Sequence, residues 1–74
     1  MSISEPNELY WDSTYAIAIS LLVHFPDRTP ERVGLQELAE LVQQLPGFSD
    51  DPELVNDRIL QDIFIVWYEE ALNA

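Results

Sequence analysis

The sequence contains no cysteine and no lysine, and these two absences exclude several classes of function. Without cysteine the chain can form no disulfide, no thiolate metal site and no thiol nucleophile. Its only permanent cations are three arginines against 14 Asp and Glu, which gives a formal net charge of −11. Such a charge repels phosphate backbones and attracts basic protein surfaces or cations. We therefore expect no nucleic-acid partner.

Long hydrophobic runs are also missing from this chain of 74 residues. The longest mainly apolar run, residues 16–23, is too short to span a bilayer, and the first residues do not resemble a signal peptide. We therefore expect no membrane partner and a cytoplasmic location. The apolar fraction of 47% favours a folded core over disorder, and the length allows one small domain.

Three helical patterns with apolar stripes predict a mainly α fold with at most short strands. The first begins after Asp12 or Ser13 and runs to about His24, the second covers 36–45, and the third lies within 50–72. The inward side chains are predicted to be Ile17, Ala18, Leu21, Leu22 and Phe25; Leu38, Leu41, Val42 and Leu45; and Ile59, Leu60, Ile63, Val66 and Trp67. Phe48 is expected to fill the core. We predict a flexible acidic tail over 1–10 and one domain over 11–72.

Two of the connections carry specific expectations. After the prolines of 25–30, the alternation within residues 31–35 predicts a small strand. Asp51 and Pro52 are typical of a helix start. Asn56 is an alternative cap, in which case the chain breaks near residues 54–55 and the helix starts again.

The first helix carries a second apolar stripe of Tyr15, Ile19 and Val23, spaced at i, i+4 and i+8. We predict that this stripe makes a contact beyond the core of the monomer, either in a homodimer through the first helix or as a hydrophobic anchor on a partner. The alternative is that the N-terminal tail, with Leu9 and Tyr10, folds over it.

The sequence contains few residues arranged in a way that suits catalysis. His24 is the single histidine, and no Ser, Asp or metal-ligand motif is spaced around it, so a helix-end role as a partial cation is favoured. Catalytic carboxylates need a pocket that shifts a pKa, whereas the acidic pairs at 50–51 and 69–70 flank turns and helix ends. We predict that the protein is not an enzyme.

The same acidic pairs are candidate cation ligands. Their oxygen atoms suit hard divalent cations but select weakly among them, and residues 50–53 lack the glycine and spacing of an EF-hand. We predict no tightly bound cofactor and at most weak Fe²⁺ binding, with the ligands Asp50, Asp51, Glu69 and Glu70. The alternative is that these carboxylates are merely solvated surface groups.

An ordered set of residues resembles the IscX family, the small acidic proteins of bacterial iron–sulfur cluster assembly. The set runs without gaps over 11–71, and its most specific parts are Phe48 with 50–52 and Val66 with Trp67. Its other members are Trp11, Ile17, Leu21, Phe25, Pro26, Asp27, Pro30, Val33, Leu45, Asn56, Ile59, Leu60, Ile63, Glu70 and Ala71.

The resemblance implies a modified winged-helix domain that binds a cysteine desulfurase (IscS), modulates sulfur transfer and binds iron weakly. Four positions depart from the family pattern, because Thr29, Ser49, Ile19 and Val23 stand where relatives often carry acidic residues. The departures at Ile19 and Val23 remove carboxylates from one face of the first helix and weaken the case for iron binding there.

We therefore predict an acidic adaptor or modulator of iron–sulfur cluster assembly. Its partner-binding residues are predicted to be Asp27, Asp50, Asp51, Glu69 and Glu70. One alternative is an iron donor or divalent-cation buffer. Another is a decoy that mimics the charge of nucleic acid, which the resemblance disfavours.

Overall fold

The computed structural model describes residues 8–73, which contain three α-helices and two short 3-10 turns. Helix α1 spans Thr14–His24, α2 spans Leu35–Gln43 and α3 spans Asp57–Asn73. The only β-type pairing in this range is an isolated parallel bridge between Leu9 and Phe48. The prediction of a mainly α, three-helix domain is confirmed, and its likeness to a winged helix stays a prediction.

The core forms where α1 packs along α3, the most extensive contact between helices. Ile17, Ala18 and Leu21 of α1 are fully buried, as are Ile63 and Trp67 of α3. These residues belong to the predicted inward stripes. Nothing in the described part of the chain accepts a hydrogen bond from the buried indole Nε1 of that tryptophan, so apolar packing holds the ring in place.

Helix α2 and the turn after it cover the rest of the core with the predicted inward side chains Leu38, Leu41, Val42 and Leu45, all of which are buried. The helix ends at Gln43, two residues before the predicted end, so Leu45 packs from the turn. The helix ends before a turn in which Gly47 has φ of 89°. Glycine adopts this left-handed conformation without the steric cost that a Cβ would add. The turn directs the chain back across the domain toward the start of the chain.

The segment before α1 is attached to the segment after α2. The backbone N–H of Leu9 donates to the carbonyl of Gly47 at 2.8 Å, and the N–H of Ser49 donates to the carbonyl of Leu9 at 2.9 Å. Leu9 is buried, and Trp11 packs edge-on against Phe48 with ring centroids 4.9 Å apart. The predicted tail falls mostly on residues 1–7, outside the described residues, and its boundary with the domain stays a prediction.

The strand predicted within residues 31–35 is wrong. Pro30–Arg32 is a single 3-10 turn, closed by hydrogen bonds from the N–H of Arg32 to the Thr29 carbonyl at 3.0 Å and from Val33 to Pro30 at 3.2 Å. The fixed φ of proline suits the first position of a helical turn, where no N–H is needed. A strand also needs a partner, and the bridge described above lies elsewhere in the fold.

The third helical segment is divided into the short turn Pro52–Leu54 and the helix Asp57–Asn73. This is the predicted alternative in which the chain breaks near residues 54–55 and the helix starts again. The Asp51 carboxylate caps the short turn Pro52–Leu54, and Val55 is then extended with ψ of 149°. The side-chain oxygen of Asn56 accepts a hydrogen bond from the N–H of Ile59 at 2.9 Å. This bond satisfies one of the free donors at the start of α3, so asparagine sets the beginning of the long helix.

Candidate acidic partner-binding surface

Asp50 is held through both of its carboxylate oxygens. Its Oδ2 accepts a hydrogen bond from the backbone N–H of Trp11 at 2.9 Å, and its Oδ1 accepts one from the N–H of Asp51 at 2.7 Å. The side chain is half-buried at the point where the N-terminal segment meets the segment between α2 and α3. Hydrogen bonds to an ionised acceptor are stronger than neutral ones, so this carboxylate has a fixed position.

Asp51 is fixed by its backbone as well as by its side chain. The indole Nε1 of Trp11 donates to the Asp51 carbonyl at 2.8 Å, and the Oδ1 of Asp51 accepts from the N–H of Glu53 at 3.0 Å. Trp11 is only 2% exposed, so it anchors the acidic pair from inside the domain. Asp51 itself is exposed and uses one carboxylate oxygen for this cap.

The electrostatic potential around Asp50 and Asp51 is negative. The hydroxyl of Tyr10 donates to Oε1 of Glu8 at 2.5 Å. This hydrogen bond and the charge of Glu8 raise the pKa of Tyr10 above its usual value, with smaller contributions from burial and from the charge of Asp50. A group that loses a proton to become an anion does so less readily where other anions lie nearby.

The remaining predicted acids lie in other parts of the fold. Asp27 is exposed in the turn after α1, whereas Glu69 and Glu70 lie on the last two turns of α3, exposed and half-buried respectively. Within residues 8–73 no three His, Asp or Glu side chains come together in a group able to hold a metal ion. The ligand set of Asp50, Asp51, Glu69 and Glu70 therefore stays a prediction for weak binding.

The second apolar stripe of α1 remains largely exposed to solvent. Tyr15 is 60% exposed and Val23 is 65% exposed, while Ile19 between them is half-buried. Leu9, which was considered as a cover for the stripe, pairs with the Phe48 segment. Contact of this stripe with another protein stays a prediction, because residues 1–7 lie outside the described part.

The sequence reasoning missed a groove between α3 and the turn Pro30–Arg32. It is lined by the apolar residues Phe64, Ile65 and Tyr68 and by the carboxylate residues Glu31 and Glu69, and its volume is about 230 Å³. The spacing of Ile65, Tyr68 and Leu72 at i, i+3 and i+7 was the available signal. All three are exposed in the structure.

Comparison with known proteins identifies the family. The family model described as iron-sulphur cluster assembly matches residues 9–72, which is nearly the whole described structure. The chain belongs to this family. The predicted IscX resemblance is confirmed.

Among the similar proteins is one from Pseudomonas aeruginosa named uncharacterized protein PA3808. It is 37% identical over 62 residues, which cover 84% of this chain and 94% of that protein. The likeness therefore extends over nearly the full length of the relative. Separately, no helix in residues 8–73 combines the length and apolar character needed to cross a membrane.

Proposed function

We propose that the protein is an acidic adaptor that modulates iron–sulfur cluster assembly in the cytoplasm by binding a cysteine desulfurase. The observation that carries this proposal is the pair Asp50–Asp51, which Trp11 anchors from the core while the Asp51 side chain faces solvent. The family match supports a role in iron–sulfur cluster assembly, and the net charge of −11 supports a basic protein partner.

The proposed contact works mainly through charge. Arginine pairs with a carboxylate through two parallel hydrogen bonds, and a carboxylate held in advance loses little freedom when such a bond forms. Asp27, Glu69 and Glu70 extend the negative potential beyond the anchored pair. Complementary potentials of this kind increase the rate of association more than they increase affinity.

The chain is proposed to modulate sulfur transfer without catalysing any step itself. The sequence has no cysteine to carry a persulfide, so sulfur bound covalently to a thiol must stay on the partner. An adaptor bound to the desulfurase can still change sulfur transfer if it covers a surface that a sulfur acceptor needs. Whether the rate rises or falls is an outcome of the binding experiment.

Weak Fe²⁺ binding by exposed carboxylates is a secondary part of the proposal. Oxygen ligands on separate surface segments bind hard cations with little selectivity. The alternative function, an iron donor or divalent-cation buffer, requires that iron binding be stronger than this. The two proposals differ in what Fe²⁺ does to the protein contact.

The deciding experiment measures binding of the purified protein to a purified cysteine desulfurase by surface plasmon resonance, at low and at high salt, with and without Fe²⁺. The adaptor proposal expects binding without iron and a steep loss of affinity as salt rises. Absence of binding at low salt contradicts it. Binding that requires iron supports the donor alternative.

A further inference from the structure

The apolar wall of the groove between α3 and the turn Pro30–Arg32 has no part in the function proposed above. One wall is formed by Phe64, Ile65 and Tyr68 of α3, and Ile65 remains 54% exposed. Phe64 packs edge-on against the buried Trp67, with ring centroids 6.4 Å apart, so the base of the groove rests on the core. The groove is therefore an apolar surface that packs against the core on one side and is open to solvent on the other.

The size of the groove limits what it can hold. Its volume of about 230 Å³ lies below the roughly 300–1,000 Å³ typical of sites for small molecules and cofactors. Tyrosine and other large apolar side chains are enriched in the buried centres of protein interfaces. The groove thus suits one bulky side chain of another protein better than it suits a free cofactor.

The charge of the groove selects among protein partners. Glu31 and Glu69 are the two charged residues among those that line it. Arg32 shares the turn with Glu31, but the whole chain still carries a net charge of −11. A second copy of this chain brings the same charge, and like charges facing one another across an interface disfavour binding. A basic segment meets no such repulsion.

We infer that this groove receives a single large aliphatic or aromatic side chain from a basic segment of a protein partner, with Arg or Lys beside that side chain facing Glu31 and Glu69. The inference deepens the proposed function, because Glu69 is one of the acids assigned to the partner surface. It adds an apolar anchor to a contact so far described by charge alone. The anchor is expected to slow dissociation, whereas the charges accelerate association.

The first experiment does not depend on the desulfurase. The full-length protein, labelled with ¹⁵N, is titrated by NMR with the synthetic peptide Gly-Arg-Leu-Arg-Gly and with two matched peptides, Gly-Arg-Ser-Arg-Gly and Gly-Glu-Leu-Glu-Gly. The leucine–arginine peptide is expected to bind at least tenfold more tightly than either control. Its shift changes are expected to centre on 64–69.

Five outcomes overturn the inference. Equal binding of the leucine and serine peptides shows that charge alone acts, and equal binding of the glutamate peptide shows that charge does not select the partner. Shift changes away from 64–69, or no binding, remove the groove as the site. Self-association through 64–69, detected by sedimentation of the free protein, assigns the groove to a second copy instead.

The second experiment separates this inference from the proposed function. Ile65→Ser removes an exposed apolar group without changing charge, and Leu54→Ser is the matched control at an exposed apolar residue that no proposed contact uses. Ile65→Ser is expected to raise the dissociation rate from the desulfurase about tenfold while the salt dependence stays the same. If Ile65→Ser dissociates from the desulfurase as slowly as the wild type, the groove is not part of the contact. The adaptor proposal is unaffected by that result. A wild-type protein that does not bind contradicts the adaptor proposal, and the peptide titration still decides the groove.

Discussion

The backbone N–H of Trp11 donates a hydrogen bond to Oδ2 of Asp50 at 2.9 Å, across a sequence separation of 39 residues. The bond makes one carboxylate of the acidic surface part of the packing between the N-terminal segment and the rest of the domain. Stability and partner binding therefore overlap at this residue. Variants have to be chosen so that the two effects can be told apart.

Asp50→Ala is expected to lower the free energy of unfolding by about 1–3 kcal/mol, because it leaves the N–H groups of Trp11 and Asp51 without their acceptor. Urea denaturation followed by circular dichroism measures the change. Asp27→Ala is the control and is expected to stay within about 0.5 kcal/mol of wild type, as for most exposed substitutions. Equal stability of the two variants contradicts the structural role of Asp50.

Asp51→Asn combined with Asp27→Asn is expected to slow association with the desulfurase while the fold stays intact. Asparagine at 51 retains the side-chain oxygen that accepts from Glu53, so the cap survives while the charge is lost. Exposed charges are screened over about 8 Å at physiological salt, so the difference from wild type should shrink as salt rises. Stopped-flow association rates measure this. Glu40→Gln on α2 is the control for loss of charge elsewhere, and an equal effect from it shows that only net charge matters.

Fe²⁺ binding is expected to be weak and unselective. Carboxylate oxygens on separate segments bind Mg²⁺ and Ca²⁺ as well, so an excess of either should displace iron. Isothermal titration calorimetry under anaerobic conditions measures both the affinity and the competition. Tight binding that resists a large excess of Mg²⁺ would show a preformed site and would favour the donor alternative.

Val23→Glu tests the apolar stripe of α1 with little cost in stability, since this side chain is 65% exposed. If the stripe forms a homodimer, sedimentation of the wild type shows association that strengthens with salt, because salt screens the repulsion between two chains of −11 charge. If it anchors a partner, the variant weakens desulfurase binding. Ile19→Glu is a less clear test because Ile19 is half-buried. Unchanged sedimentation and unchanged binding of Val23→Glu would contradict any contact through the stripe.

Glu8→Gln is expected to lower the pKa of Tyr10 toward its usual value near 10, since Glu8 is the main cause of its elevation. A pKa raised on folding means that the protonated phenol is favoured in the folded state. That contribution is complete below about pH 10 and is lost as pH rises through the folded pKa. Ultraviolet titration of tyrosinate absorbance in wild type, Glu8→Gln and Tyr10→Phe isolates this residue. No difference between wild type and Glu8→Gln would contradict the assignment.

The sequence by itself determined the helices and their inward faces. Apolar residues three or four positions apart lie on the same side of a helix, and that side is the one that is buried. Examples are Ile17 with Leu21 and Ile63 with Trp67. It also determined the net charge of −11, which predicts that anionic partners are disfavoured. The family followed from the order of residues over 11–71, which the match over 9–72 confirmed.

The local conformation between the helices was less certain. Pro30 and Pro52 each begin a 3-10 turn, where the sequence had suggested a strand near the first and a continuous helix start at the second. A proline at the start of a helical turn fits a short turn and a long helix equally well. The length of the element is decided by what the following residues pack against, and that depends on the rest of the fold.

Only the tertiary structure decided which acids are anchored and where the groove lies. Asp50 looked like a surface charge, yet it bonds to Trp11, and no periodic pattern connects residues 39 positions apart. The groove likewise needs both α3 and the turn that holds Glu31, which come together only when the chain folds. Spacing along a chain predicts which side chains share a helix face. The packing of separate segments determines what those faces meet.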